Sequence, residues 1–504
     1  MKTFRSGKWW ALGAMTLGVL AVGLDVTVLS IALPSLAVAF HATETQLQWF
    51  TSTYALALTA AMLPAGLLGD RYGRKRTLLI ALGLFGLGSI FCAYASSANV
   101  FIIARTILGL TGAAVITLVL SALPVLFSET ERPRAVGIWA AGNFVAMPIG
   151  PILGGWILTY HWWGWVFLMN VPVVLIGIAA ILFLMQESKA STRSGIDALG
   201  ITISSVGLVA LTYGIIQVGQ NGWSDDRAWM YLFAGITVLV LFVLWEHWLS
   251  NRGGQPLVDL ALFRSRAFVS GVLLMTVGLF PMAGVLFLLP QYFQGVLGLN
   301  AEGSGVRLLP LVAGLIVGAV PIDRLVQKIG AKITIAIGFV VLTAGTWMAS
   351  GTSASSSSVS IALWMIVIGI GSGMVMATSA SAALMELSNE RSGVGTALMQ
   401  AMKNLGLPFG TAILGSVLNH AYQSRVNVSA LPEVAAHTVR ESVFSGVEIA
   451  RRMGVKNLLQ SVYTAFTHGI DVSFHVASGV SVAGILLALA CMPHRSRETD
   501  AANH

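Results

Sequence analysis

Charge is scarce in this sequence: Asp, Glu, Lys and Arg make up only 10% of its 504 residues, while 56% are hydrophobic. A water-exposed surface usually needs about a quarter of its residues charged, so the shortage excludes a set of soluble globular domains. It also leaves no polar stretch large enough for a separate catalytic domain, and an enzyme is not expected. Cysteine is scarcer still. Cys92 and Cys491 lie far apart inside apolar runs, which excludes a disulfide framework and leaves no metal site; both read as small core residues. A phosphate-cradling glycine loop with its lysine is missing, so neither a nucleotide nor any other cofactor is expected to supply energy. The net charge of +8 comes from short Lys and Arg clusters between apolar runs and not from one basic face, which argues against nucleic acid as a partner.

What the chain does have is apolar length. Windows long enough to cross a bilayer fall at 9–33, 47–69, 77–97, 100–127, 135–158, 163–185, 198–219, 228–248, 267–290, 304–323, 332–351, 359–384, 394–420 and 470–492. The fold class expected is therefore all-α integral membrane, with about fourteen transmembrane helices. Lys2, Arg5 and Lys8 before the first run, and Ala37 to Ala39 after it, look like a cleavable signal. The run is too long for one and carries Asp25, so a retained first span is expected.

The basic residues test the count independently. Loops rich in Lys and Arg should alternate with poor ones if the number of crossings is right. Lys2, Arg5 and Lys8 precede span 1, Arg71 to Arg76 follow span 2, Arg132 and Arg134 follow span 4, and Lys189 and Arg193 follow span 6. Arg252, Arg264 and Arg266 follow span 8, Arg324, Lys328 and Lys332 follow span 10, Arg391 follows span 12, and Arg495 and Arg497 close the chain. These loops and both termini are expected in the cytoplasm. The opposite loops are nearly free of Lys and Arg apart from 421–469, a long connection exempt from the rule, whose stretch 434–453 reads as one or two amphipathic helices on the outer face.

Gly66, Gly69, Asp70, Arg71, Gly73, Arg74 and Lys75 lie at the cytoplasmic end of span 2. The glycines permit a tight turn and close helix contact, and Asp70 with the arginines can form interhelical pairs that latch the inner mouth. Span 5 carries Gly142, Ala146, Gly150 and Gly154 at four-residue spacing, with Pro151 and Gly155 beside them. That makes one smooth face which a neighbouring helix can approach and pivot against.

Asp25 lies inside span 1, and an intramembrane carboxylate is a functional candidate by default. The balance between burial and a nearby cation lets such a group take and release a proton. Arg105 in span 4 is the obvious partner. Asp25 is about eight residues from the outer end of its span and Arg105 about six from the outer start of its own, so at about 1.5 Å per residue their depths agree within a few ångströms. Sequence leaves open whether they face each other. In span 13, Gln400 and Asn404 share a face and Lys403 lies near mid-membrane; the three are candidates, with Asp25, for lining a substrate cavity.

The loop from Gly66 to Lys75 resembles the signature of the major facilitator superfamily position for position. Within that superfamily, Gly150, Pro151, Gly154 and Gly155 look like the motif of proton-coupled drug antiporters, and Arg105 with Gly109 matches an arginine and glycine pattern of the fourth helix. Trp245 and Glu246, Pro256 to Asp259, and Trp165 to Pro172 resemble the fourteen-helix drug:proton branch. Some quaternary-ammonium exporters of that branch carry acidic residues along span 13, which are absent here.

The resemblance implies two six-helix halves, 1–185 and 267–504, separated by two inserted helices and linkers at 186–266. Asp323, Arg324, Lys328, Gly330 and Lys332 form a worn echo of the first-half loop. It further implies a monomer in the bacterial cytoplasmic membrane, exporting lipophilic, often cationic drugs in exchange for protons by alternating access, with the proton gradient in place of any cofactor. A dedicated exporter of one metabolite or self-made antibiotic is the principal alternative. An uptake symporter is disfavoured by the span 5 motif, and a non-transporting scaffold by its needless buried charge.

Overall fold

The computed structural model describes residues 2–42, 44–188, 197–254, 256–258, 260–387, 392–429, 431–441 and 443–493. Lys189, Arg193, Asp259, Arg391, Arg495 and Arg497 of the charge pattern lie outside the described residues, as do the side chains of Lys2, Arg5 and Pro151. Every regular element among the described residues is helical.

The first group comprises α1 (Lys2–Phe40), α2 (Glu44–Tyr72), α3 (Arg74–Ala93), α4 (Ala98–Leu126), α5 (Arg132–Tyr160), the single turn α6 (Trp165–Leu168) and α7 (Asn170–Leu184). α2 stops where Gly73 enters the left-handed region at φ 106°, a conformation glycine tolerates and other residues resist. The backbone N–H groups of Lys75 and Arg76 then donate to the Glu187 carboxylate at 3.0 Å each, which satisfies the open start of α3. A Cβ on Gly73 would stand 2.6 Å from that carboxylate. α4 starts on Ser97, whose hydroxyl accepts the Val100 N–H.

The next pair, α8 (Ala198–Asn221) and α9 (Asp226–Asn251), begins on the capping carboxylates of Asp197 and Asp225. The two helices approach closely along Gly207, Gly214 and Gly235. α8 also packs on α2, where the Ser205 hydroxyl donates to the Ala60 carbonyl at 2.8 Å. α9 presents Phe233, Ile236, Val240 and Leu244 outward. Such exposed apolar belts are tolerable only against hydrocarbon.

The remaining helices are α10 (Arg266–Gln291), continued by a π turn at Tyr292–Val296, then α11 (Ala301–Val306), α12 (Leu309–Ala319), α13 (Ile322–Ser350), α14 (Ser358–Met385), α15 (Ser392–Arg425), α16 (Glu433–Glu441), α17 (Val443–Met453) and α18 (Lys456–Cys491). α13 kinks at Gly330, φ 81°. That left-handed glycine stands in the loop that echoes the one around Gly73.

Among the described residues, twelve helices are long and apolar enough to cross a membrane. α5 and α15, at 29 and 34 residues, are long enough too and occupy the fifth and thirteenth expected spans. Fourteen crossings result if both traverse. The chain is a multi-pass membrane protein.

The connection expected at 421–469 is shorter than its hydropathy suggested, since α15 runs to Arg425 and α18 starts at Lys456. Lys456, Gln460 and His468 dilute the hydropathy there, yet Leu458, Val462, Ala465 and Phe466 keep a helical stripe that is buried. At about 1.5 Å per residue the 36 residues of α18 overhang a hydrocarbon core of about 30 Å. Between α15 and α18 lie two amphipathic helices, α16 and α17.

Candidate functional site

Asp25 on α1 and Arg105 on α4 meet. Each is 1% exposed, and Arg105 Nη1 donates to Asp25 Oδ2 at 2.5 Å. The same guanidinium donates through Nε to the Phe50 carbonyl at 3.1 Å and lies 4.4 Å from the centroid of the Tyr54 ring, which tie it to α2. Gly109 and Gly112 make this possible. A Cβ on Gly109 would stand 2.5 Å from the Tyr54 carbonyl oxygen, and one on Gly112 3.0 Å from the Tyr54 hydroxyl, so only a bare helix face lets α2 seat its ring over Arg105. On the other side, Asn170 of α7 turns its Nδ2 toward Asp25 Oδ1 at 3.5 Å and Ser89 Oγ at 3.4 Å.

A buried ion pair held on several sides resists disruption by water, but removing one partner strands the other charge in low dielectric. Protonation of Asp25 would be such a disruption. Asn170 Oδ1 and the Tyr54 hydroxyl are buried with no hydrogen-bond partner, so polar capacity stands beside the pair to take up a rearranged bond.

Two residues beyond Asp25, the Thr27 hydroxyl donates to the Ala146 carbonyl of α5 at 3.1 Å. The expected smooth face of α5 is packed against α1 here. Cβ atoms on Gly142, Gly150 and Gly154 would meet Thr16, Thr27 and Val28 respectively. Gly155 faces α11 instead, where a Cβ would lie 4.0 Å from Glu302. α5 therefore touches α1 along one face and α11, α12 and α14 along others.

At the end of α2, Asp70 forms a buried 2.7 Å pair with Arg74 and accepts the backbone N–H groups of Gly393 and Val394, the start of α15, at 3.0 and 3.1 Å. A carboxylate at a helix N-terminus satisfies open donors and meets the positive end of the dipole. Gly66 and Gly393 allow the approach: a Cβ on either would stand 2.4 Å from the other's carbonyl oxygen. The Ser392 hydroxyl adds a 3.2 Å bond to the Ser121 carbonyl on α4. Lys75 Nζ donates to the Leu182 carbonyl at 2.8 Å, and Arg71 lies 5.6 Å from the Tyr72 ring. The motif residues thus divide, with Gly66, Asp70 and Arg74 at the α2 to α15 latch and Gly73 and Lys75 against the end of α7.

Gln400 and Lys403 of α15 are buried, and Lys403 Nζ lies 5.0 Å from the Trp139 ring of α5. Asn404 points instead to Met62 Sδ at 3.5 Å, on the α2 side. The three are not brought to one point with Asp25.

Sequence reading missed Tyr54, Asn170, Trp139 and the receiving N–H groups of Gly393 and Val394. Asn170 had a signal, a lone amide in an apolar run. The backbone donors had none, because every residue carries one.

A model described as Major Facilitator Superfamily matches residues 15–411. The Tetracenomycin C resistance and export protein of Streptomyces glaucescens is 30% identical over 502 residues, spanning 96% of this chain and 92% of that one. The Multidrug efflux pump LfrA of Mycolicibacterium smegmatis is 29% identical, spanning 92% of each. Among solved structures, the proton:xylose symporter XylE superposes with a TM-score of 0.59 at 15% identity over 97% of this chain and 96% of that one, and the human organic anion transporter MFSD10 with 0.61 at 13% identity over 95% and 99%. The structural likenesses carry the fold alone; with the sequence matches they make the chain a transporter that belongs to the Major Facilitator Superfamily.

Proposed function

We propose that the chain is a proton-coupled antiporter that exports lipophilic drug-like compounds from the cytoplasm by alternating access. The observation that carries the reading is the buried Asp25 and Arg105 pair and its connections. When Asp25 takes a proton its bond to Arg105 weakens, and Arg105 keeps only the Phe50 carbonyl and the Tyr54 ring on α2. The change passes from Asp25 along α1 to Thr27 and the Ala146 carbonyl, and so to α5, which bears on α11, α12 and α14 of the opposite half. Asp70 holds the inner mouth shut in this conformation, and its release opens the path from the cytoplasm.

The efflux names of the relatives support export, and the proton gradient makes a cofactor unnecessary. A bacterial cytoplasmic membrane, cytoplasmic termini and a monomeric working unit complete the proposal. The often cationic compounds expected from the family resemblance are not what the interior charge favours.

A dedicated exporter of one compound is the second reading, favoured by the Streptomyces relative whose name refers to a single compound. Uptake of a chemically varied panel into energised everted vesicles tests both. Accumulation of several unrelated compounds, abolished by an ionophore that collapses the pH gradient, is the expected result. Accumulation of one compound alone supports the dedicated exporter, and accumulation that survives the ionophore contradicts proton coupling.

A further inference from the structure

Lys403 is a buried amine with no acid paired to it among the described residues. The residue is 7% exposed, and no hydrogen bond or ion pair to it is found among the described residues. Its Nζ lies 5.0 Å from the Trp139 ring, which α5 presents to α15. Asp25 does not balance it, since that carboxylate is matched by Arg105. Unpartnered polar atoms lie on the same two helices. Trp139 Nε1 and both ends of the Gln400 amide are buried without a partner, as is the hydroxyl of Thr396, one turn before Gln400. Native interiors rarely leave so many polar groups unsatisfied unless something else meets them.

The donors there outnumber the acceptors. Lys403 offers three N–H bonds, Trp139 one and Gln400 two, against the one carbonyl oxygen of Gln400 and the hydroxyl of Thr396. Ten residues separate Lys403 from Gly393, so the ammonium lies about 15 Å above the inner latch, at a depth that the latch closes off from the cytoplasm. The ring and the ammonium come from opposite halves, so a ligand that accepts from both is held in one conformation and released when the halves part.

We propose that this seam is the substrate site and that it selects organic anions: an apolar frame bearing a carboxylate, phenolate or similar acidic group that accepts from Lys403, Trp139 and Gln400. The proposal rests on the export reading for the direction of movement but not for the binding itself. At a separation of about 6 Å and an effective dielectric of about 20, one unit charge beside the ammonium shifts affinity by roughly a hundredfold, up for an anion and down for a cation. Desolvation of the anion offsets part of this, leaving a preference of about tenfold or more.

The test is equilibrium dialysis of three probes of one shape, anthracene carboxylate, anthracene methanol and anthracene methylammonium, against detergent-purified full-length chain with empty micelles as the blank. Wild type binds the carboxylate at least about tenfold more tightly than the methylammonium. Lys403→Gln loses that preference while holding the neutral alcohol within about threefold, and Lys403→Arg keeps it. A wild type that ranks the carboxylate no higher than the methylammonium overturns the proposal, and so does an undiminished preference in Lys403→Gln or no binding of any probe at millimolar concentration. If Lys403→Gln does not fold, the wild-type ranking decides. The two readings fail separately. A chain that ranks the probes as stated yet transports nothing refutes export and keeps the site, while one that exports dyes with proton release and ignores probe charge refutes the site and keeps export.

Discussion

The Asp70 carboxylate on α2 receives the Gly393 N–H at the first turn of α15, 3.0 Å away and 323 residues along the chain. Its other oxygen takes the Val394 N–H, and Arg74 holds it from behind. A side chain and a backbone terminus thus join α2 to α15.

Asp70→Ala removes both bonds. Charge-assisted bonds contribute about 1.5 to 3 kcal/mol each, so the closed inner mouth loses at least tenfold in population. A cysteine placed at Thr396, in a chain with Cys92 and Cys491 replaced, becomes correspondingly faster to label from the cytoplasmic side. Unchanged labelling would show that the latch does not hold the mouth.

Gly66→Ala introduces a Cβ that would stand 2.4 Å from the Gly393 carbonyl oxygen, where backbone cannot easily give way. Transport is expected to fall at least tenfold with the protein still inserted. Gly83→Ala is the control, because nothing lies within 4 Å of a Cβ there. Equal transport by the two variants contradicts the close approach of α2 and α15.

Gly142→Ala puts a Cβ 2.0 Å from Thr16 Cγ2 on α1. Overpacking of this kind costs about 1 to 3 kcal/mol, visible as a lower melting temperature in detergent. Thr16→Ser deletes the offending methyl, so the double variant regains most of the loss. No rescue would mean that α1 and α5 are not packed as described.

Lys8 meets Glu131 at 2.7 Å in the loop between α4 and α5. Burial pushes the Glu131 carboxyl up, but bonds from Lys8 and Ser128 outweigh it and hold the group below the usual glutamate range. A lowered folded-state value contributes stability above the unfolded value near 4.5, and that stability is lost as pH falls through the folded value. The partly exposed pair is worth about 1 kcal/mol at most. Glu131→Gln should therefore lower the melting temperature slightly at pH 7 and leave it unchanged near pH 3; an equal effect at both contradicts the pairing.

Spans, the inner loop and the candidate charges were legible because they depend on local quantities: apolar run length, the shortage of charge and the placement of Lys and Arg. Depth arithmetic brought Asp25 and Arg105 to one level, but that they face each other depends on helix rotation, which Gly109 and Gly112 set by admitting Tyr54. The start of α18 was misjudged because averaged hydropathy blurs a narrow buried stripe with the polar residues between its members. The receptor for Asp70 was illegible, because backbone donors at a helix start carry no side-chain signal.

Substrate-induced proton release tests the central claim most directly. Proteoliposomes or everted vesicles with an acidified interior are given a panel of transported compounds, and external pH is followed for wild type and Asp25→Asn at matched expression and folding. Proton efflux on substrate addition in the wild type, lost in Asp25→Asn, is the predicted result. Efflux of equal size in Asp25→Asn, or substrate movement in the wild type with no proton release, would contradict coupling through the Asp25 and Arg105 pair.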